Sequence, residues 1–292
     1  MKQSEKNKIL LLGGTGFIGR NILESLGKKY EFLAPSKQEL DLRKEAEVFK
    51  YLEKNPVDLV INAVSTGGPG QEKEEGSAGR LINSLKTFFS LIKPKNFYKR
   101  MIFFGSGAMY DKTRSLKKIK ETELGKFIPA DEYGLYKYVC SEYAEKTKDI
   151  VCLNLFGVYG KYEDYRFKFV SNVIVKNLLK QDIVINQNVV FDYLFIDDLI
   201  SIADYFIMNK SKFQNYNSVP DKSIDLISIA TIVNEVSDYK SKIIVLNKEL
   251  NNEYTADNSR LKNEIPQLKF TEYKKGIEKL FKYYKENINK HK

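Results

Sequence analysis

Short, almost wholly apolar runs alternate with longer amphipathic ones along the first half of the chain. Ile9–Leu12, Tyr30–Ala34, Val57–Ala63, Met101–Phe104 and Ile150–Leu155 read as strands, the most apolar of them buried on both faces. Between them, Ile18–Leu26, a stretch ending at Lys54, Arg80–Ile92 and a stretch from Asp131 to about Lys146 read as helices. The third repeats Leu81, Ile82, Leu85, Phe88 and Phe89 at helical spacing and stops at Pro94. Strands alternating with helices predict an α/β fold with a doubly wound parallel sheet. After about Tyr159 the pattern loosens. Helices are expected at Phe167–Lys180, Asp197–Met208, Thr231–Val236 and Gly276–Lys285, and strands at Ile183–Ile185, Val189–Ile196 and Ile243–Leu246. We expect residues 1–160 to form one domain. Residues 161–292 form mainly a smaller, interleaved C-terminal lobe with segments returning to the first.

The first strand runs into Gly13-Gly-Thr-Gly-Phe-Ile-Gly19. Gly13 suits the sharp turn, Gly16 lets a pyrophosphate approach the backbone, and Gly19 lets the helix pack closely on the sheet. The helix start adds free N–H groups and a partial positive charge. This is a dinucleotide signature of the Rossmann type, so residues 1–160 read as an NAD(P)-binding domain. An acid at the end of the second strand would accept from a ribose 2′-hydroxyl and indicate NAD. Here Pro35, Ser36 and Lys37 stand there, and a hydroxyl with a lysine suits the 2′-phosphate of NADP. Asp41 can accept from the adenine amino group while Leu42 packs on the ring. Asn62-Ala-Val-Ser65 ends a strand at the carboxyl edge, where α/β sheets bind ligands. Thr66–Gly79 reads as a loop over that edge.

Composition narrows the chemistry. Of 292 residues, 42% are hydrophobic, and no apolar run approaches the ~20 residues that span a bilayer. Met1 to Lys8 is polar, and Ile9–Leu12 is too short for a signal-peptide core, so a cytoplasmic location is expected. Two cysteines, Cys140 and Cys152, and one histidine, His291, leave no set for a His/Cys metal site or a histidine triad. The net charge is +10. A solvated surface with a basic loop at Lys112–Lys120 explains it first. A field attracting an anionic substrate comes second, and nucleic acid third, because no nucleic-acid module is recognisable.

Tyr133-Gly-Leu-Tyr-Lys137 places a tyrosine and a lysine one helical turn apart on one face. A nearby cation favours a phenolate and so brings a tyrosine toward acid/base work. Ser106, at a strand end, can bind the substrate oxygen that gains or loses charge. Tyr-x-x-x-Lys recurs by chance in a chain with 19 tyrosines. Tyr136 and Tyr138 lack a lysine four residues on. The order of glycine turn, strand-end serine and Tyr/Lys helix is what sets Tyr133 apart.

Together these residues resemble the extended short-chain dehydrogenase/reductase family, in its nucleotide-sugar epimerase/reductase branch. Gly13–Gly19, Asn62-Ala63, Ser106 four residues before Tyr110, Tyr133/Lys137 and Asp192-Tyr-Leu-Phe-Ile-Asp-Asp198 carry the resemblance over nearly the whole length. It implies Ser106, Tyr133 and Lys137 as the catalytic set. Cofactor contacts are implied for Gly13, Thr15, Gly16, Phe17, Ile18, Gly19, Ser36, Lys37, Asp41, Leu42, Ala63, Val64, Ser65, Tyr133, Lys137 and Leu155. It implies a nucleotide diphosphate sugar as substrate, with Thr66, Ser106, Arg166, Lys168, Asn172 and Arg260 as candidate contacts. The three basic ones are candidates for the diphosphate. Glu39-Leu-Asp-Leu42 and Thr66-Gly-Gly68 are similar to the GDP-fucose synthase-like 4-keto reductases. That branch also epimerises, with a cysteine shortly after the serine and a histidine further on. Here Ala108 holds the cysteine position, and no histidine precedes His291. The dehydratase branch has an Asp-Glu pair where this chain has Gly107 and Ala108. The arginine common before the Asp192 position is Phe191. A segment that often bears asparagine reads Leu155-Phe-Gly-Val-Tyr-Gly160, with Gly157 at that position, or Asn154 in a shifted register.

The implied activity is NADPH-dependent C4 reduction of a nucleotide-linked 4-keto-6-deoxy sugar, GDP-linked deoxyhexose or deoxyheptose, for surface polysaccharide. A 4-epimerase holding NAD tightly is the enzymatic alternative, and an NADP-binding sensor or scaffold the non-enzymatic one. Family members form homodimers through a four-helix bundle. The stripe Leu81, Leu85, Phe88, Phe89 and the helix Tyr133–Lys146 are the candidates for it.

Overall fold

The fold was obtained as a computed structural model describing residues 6–64 and 76–288. Ser65, Thr66 and His291 lie outside the described residues. The chain forms β1 (Lys8–Leu12), α1 (Phe17–Leu26), β2 (Glu31–Leu33), α2 (Glu45–Lys54), β3 (Leu59–Asn62), α3 (Gly76–Phe89) and β4 (Arg100–Ser106). Then come β5 (Leu116–Ile119), α4 (Glu132–Glu145), β6 (Ile150–Leu155), β7 (Gly157–Tyr159), α5 (Phe169–Leu178), β8 (Ile183–Asn188), β9 (Val190–Phe191), β10 (Tyr193–Phe195) and α6 (Ile196–Met208). β11 (Asn215–Asn217), β12 (Ile224–Asp225), α7 (Leu226–Val236), β13 (Ile243–Leu250), β14 (Tyr254–Ala256), α8 (Ser259–Glu264) and α9 (Tyr273–Asn287) follow. Two compact units result. The first comprises 1–112, 121–154 and 200–217, the second 113–120, 155–199 and 218–292.

The first unit is built on a six-stranded sheet in the order β2-β1-β3-β4-β6-β11, with parallel pairing such as Ile9 to Leu59 and Leu59 to Arg100. Every residue of β3 and β6 is buried, as expected of strands with helices on both faces. On one side α3 and α4 close over Phe103, Cys152 and Met101, with Phe88, Tyr136, Cys140 and Ala144 in the core. Phe88 is fully buried, and Leu81, Leu85 and Phe89 are partly buried against the same cluster. The stripe considered for a subunit contact is thus turned onto the chain's own core. Burying a phenylalanine there contributes about 1.5–3 kcal/mol, more than a helix gains from exposing it. Arg100 covers the other end of the sheet, where its guanidinium donates to the carbonyls of Phe206, Ile207 and Asn209. A cation on the last carbonyls of α6 also complements the helix dipole.

The second unit has a four-stranded mixed sheet, β12-β9-β14-β5, and two parallel pairs, β7–β10 and β8–β13. α5, α7 and α9 pack together, with Ile277, Leu280, Phe281 and Tyr284 of α9 buried. Three expectations are corrected here. The basic loop Lys112–Lys120 contains a strand, β5, which pairs with β14 and buries Leu116 and Ile119 while Lys117 and Lys118 stay exposed. The expected strand Val189–Ile196 is broken in two at Asp192, whose buried carboxylate accepts from Ala256 N at 2.7 Å. α7 also starts earlier than Thr231, because Asp225 caps it by accepting from Ser228 N at 3.0 Å.

Candidate active site

The glycine turn meets the steric conditions read from the sequence. Gly13 has φ +81°, and a methyl group there would lie 2.8 Å from the Ala63 carbonyl oxygen. At Gly19 a methyl would lie 2.1 Å from the Gly13 oxygen, so only glycine lets α1 start this close to the turn. Gly16 is the N-cap of α1 and brings no side chain over the first N–H groups. Thr15 is exposed, and Phe17 and Ile18 are half-buried. The Asn62 side-chain oxygen accepts from Val64 N at 3.2 Å, which shapes the Ala63–Val64 backbone beside Gly13. An open helix start beside a glycine-rich turn fits a pyrophosphate, so the residues present suit a dinucleotide.

Past β2, Ser36 and Glu39 form a reciprocal cap. Glu39 Oε2 accepts from Ser36 N at 2.7 Å, and Ser36 Oγ accepts from Glu39 N at 3.4 Å. The Ser36 backbone bond holds the Glu39 carboxyl below its usual range. Lys37 is exposed. The Asp41 carboxylate receives Arg43 Nε and Nη2, the latter at 2.7 Å, and the guanidinium holds its carboxyl down at about 2. Arg43 is a cation at this edge that the sequence reading passed over. Leu42 belongs to the core, and Val64 packs partly buried against it.

The chemistry gathers around the end of β4. Ser106 is buried and caps a 3₁₀ turn, Gly107–Tyr110, with Oγ accepting from Ala108 N at 3.2 Å. Asp131 caps α4, accepting from Gly134 N at 3.0 Å. A methyl at Gly134 would lie 2.8 Å from the Ala108 carbonyl oxygen, so the helix start sits hard against the turn that follows Ser106. One turn on, Lys137 is 3% exposed and donates to the Phe104 carbonyl at 2.6 Å. Its ammonium lies over the rings of Phe103 at 4.5 Å, Tyr136 at 4.9 Å and Tyr133 at 5.7 Å from their centroids. A buried ammonium is costly unless bonded, and here the carbonyl and the ring faces hold it. The structure therefore assembles Ser106, Tyr133 and Lys137 on one unit. It also separates Tyr133 from Tyr136. Tyr136 is in the core, where burial pushes its phenol well above the ordinary value, whereas Tyr133 is half-buried.

The remaining candidates belong to the second unit. Leu155 closes β6 and is buried. Arg166 is exposed and paired with Asp164 at 2.7 Å. Lys168 is the exposed N-cap of α5, Asn172 donates to the Tyr165 carbonyl at 3.1 Å, and Arg260 is half-buried on α8. Sequence reasoning missed Glu163, which is buried, accepts from Ser171 Oγ at 2.5 Å, and is pushed up to about 8 by burial. It also missed the buried bonds that Asn217 makes with Tyr110 and Glu121. Among the described residues no group of three His, Cys, Asp or Glu side chains gathers as a metal site, and no helix is long and apolar enough to cross a membrane.

A parallel sheet with a glycine phosphate turn, followed by a Ser/Tyr/Lys set at the carboxyl ends of its strands, defines an NAD(P)-dependent oxidoreductase. Residues 9–218 match the model of the NAD dependent epimerase/dehydratase family, and the chain belongs to it. It is 24% identical to a GDP-L-colitose synthase of Yersinia pseudotuberculosis over 259 residues, 81% of this chain and 84% of that one. Its fold matches a GDP-L-fucose synthetase from Naegleria fowleri bound to NADP, with a TM-score of 0.84 and 14% identity over 99% of this chain and 96% of that one. It also matches a GDP-mannoheptose C4 reductase from Campylobacter jejuni with NADP bound, with a TM-score of 0.82 and 20% identity over 97% and 99% of the two chains.

Proposed function

We propose that the protein reduces C4 of a nucleotide-linked 4-keto-6-deoxy sugar, GDP-linked deoxyhexose or deoxyheptose, with NADPH. The observation that carries this is the complete Ser106/Tyr133/Lys137 set combined with non-ionisable neighbours, Gly107 and Ala108, after the serine. Bound NADPH supplies the hydride to C4. Tyr133 gives its proton to the forming alkoxide. Ser106 donates its O–H to that oxygen while one of its lone pairs accepts from Ala108 N–H. Lys137, bonded to the Phe104 carbonyl, would hold the nicotinamide ribose. Ser36, Lys37 and Arg43 would hold the 2′-phosphate. The names of the relatives and structural neighbours, GDP-sugar synthases and C4 reductases, support the substrate class.

The 3,5-epimerase step needs a proton-shuttling pair at the Ala108 position and at a later histidine. A methyl group and a chain whose single histidine is His291 supply neither, so we take the enzyme to reduce without epimerising. The first unit binds the dinucleotide, and the second carries the nucleotide-sugar contacts, among them Arg166, Lys168, Asn172 and Arg260. The enzyme acts in the cytoplasm, upstream of surface polysaccharide assembly. It works as a homodimer; exposed Ile82 on α3 is the apolar position there whose change to Asp tests this by light scattering.

The decisive experiment mixes the purified protein and NADPH with GDP-linked 4-keto-6-deoxy sugars and follows loss of NADPH absorbance. Substrate-dependent oxidation that disappears in Tyr133→Phe establishes the reductase, and the C4 configuration of the product names the sugar. Interconversion of ordinary nucleotide sugars without added cofactor, together with NAD that survives dialysis, would replace this reading with the 4-epimerase. Unchanged biological activity in Tyr133→Phe would replace it with a sensor or scaffold.

A further inference from the structure

The segment Gly105–Tyr110, which carries Ser106, rests at its start on Asn154 and is bonded at its end to Asn217. At its start, a methyl group on Gly105 would lie 2.5 Å from Asn154 Oδ1 and 2.6 Å from Cys152 Sγ, so this backbone rests directly on those side chains. At its end, the Tyr110 hydroxyl donates to Asn217 Oδ1 at 2.9 Å. Asn154 and Asn217 are register partners on β6 and β11, and Asn154 Nδ2 reaches Asn217 Oδ1 at 3.5 Å. Cys152 Sγ donates to Asn154 Oδ1 at 3.0 Å, and Glu121 Oε1 accepts from Asn217 N at 2.8 Å. Tyr110 is 1% exposed, and Asn154 and Asn217 are 0% exposed.

Such a network is not the cheapest way to fill a core. Replacing both partners of a buried hydrogen bond by apolar groups of the same shape is often nearly neutral for stability. What the polar version adds is direction: a hydroxyl bonded to one acceptor fixes the turn to within a hydrogen-bond length, where a phenylalanine would only fill volume. The turn so fixed is the one whose Ala108 N–H holds Ser106 Oγ and whose Ala108 carbonyl abuts Gly134 at the start of α4. The latch thus sets Ser106 relative to the helix that carries Tyr133.

We infer that Tyr110 and Asn217 are positioning residues, which act through Ser106 to aim its hydroxyl at the substrate oxygen. This rests on the reading that Ser106 bonds that oxygen during ketone reduction. A misplacement well under 1 Å at a reacting centre already costs rate, and about 1 Å costs about 100-fold.

The test is a double-mutant cycle on the whole enzyme with NADPH and the GDP-linked 4-keto-6-deoxy sugar. Tyr110→Phe keeps the ring and removes one hydroxyl. It is expected to lower kcat about tenfold while NADPH affinity, read by cofactor fluorescence, and KM for the sugar stay within about twofold. In a Ser106→Ala background the same change is expected to have no further effect, because groups acting through one another are not additive. Asn217→Ala, which removes the acceptor instead of the donor, should show the same dependence on Ser106. If the losses multiply in the double variants, Tyr110 and Asn217 are merely structural and the inference is overturned while the reductase reading stands. If Ser106→Ala alone leaves kcat unchanged, the role of Ser106 falls and the inference falls with it.

Discussion

Lys137 and Arg166 are both cations nominated from sequence, and the protein treats them in opposite ways. Lys137 is 3% exposed, tied to the Phe104 carbonyl and roofed by three rings. The Arg166 side chain is 67% exposed, and its ion-pair partner, Asp164, is two residues away. A charge locked inside a unit has one position, fixed by the strands and helix around it. A charge on a surface segment with a local partner can exchange that partner for an incoming anion at little cost, since exposed ion pairs contribute little to stability. The difference teaches that a fixed charge suits reaction chemistry, whereas an adaptable one suits recognition of an anion.

The contrast can be broken or sharpened by measurement. The largest effect is expected at the rigid end. Tyr133→Phe should lower kcat by about 10²–10⁴-fold, the range of a general acid, with NADPH binding and the thermal midpoint preserved; a midpoint that collapses with activity would show a packing role instead. Next, Gly19→Ala inserts a methyl 2.1 Å from the Gly13 oxygen. Overpacking of that kind costs about 1–3 kcal/mol, and urea unfolding should register it along with weakened NADPH binding.

A third test concerns the buried acid of the second unit. Burial raises the Glu163 carboxyl from its ordinary 4.5 to about 8. Between those values the folded protein holds a proton that the unfolded chain has released, so stability is full below the unfolded value and falls as pH rises through the window. Asp192 and Asp198 are raised by burial as well and act in the same sense. Glu163→Gln should remove its own share, on the order of a few kcal/mol between pH 5 and pH 9, so that the variant overtakes the parent in urea melts at the alkaline end. An unchanged slope would mean that Glu163 is ionised in the folded protein. The smallest effect is expected at the adaptable end. Arg166→Ala should leave the thermal midpoint unmoved and raise KM for the nucleotide sugar severalfold with kcat retained, the pattern of a contact made equally in ground and transition states. A drop in kcat instead would place Arg166 with the reaction machinery.

Legibility from sequence followed periodicity. The strand Ile150–Leu155 was read to the residue, and α1 and α4 nearly so, because apolar spacing and glycine or aspartate punctuation act locally. β11, Asn215-Tyr-Asn217, was not seen. Two asparagines in three residues look like a turn, and only a buried partner for each makes them a strand. β5 was hidden in the same way by Lys117 and Lys118, whose exposed side chains alternate with nothing recognisable until β14 pairs beside them. Of the candidate site, Ser106, Tyr133 and Lys137 were legible as candidates because type and spacing mark them. Tyr110, Glu121 and Asn217 were not, because a buried polar residue is indistinguishable from a surface one until its partner is placed.

By itself, then, the sequence determined the glycine turn, the alternation that makes a parallel sheet, and a tyrosine one turn before a lysine, since backbone sterics and helical pitch act over a few residues. Only the tertiary structure decided that Tyr136 is buried while Tyr133 is not, that the α3 stripe faces the core, and that the segment bearing Ser106 is held against Asn154 and Asn217. These depend on contacts between residues as far apart as Tyr110 and Asn217, where burial sets the worth of each polar group and no local pattern records it.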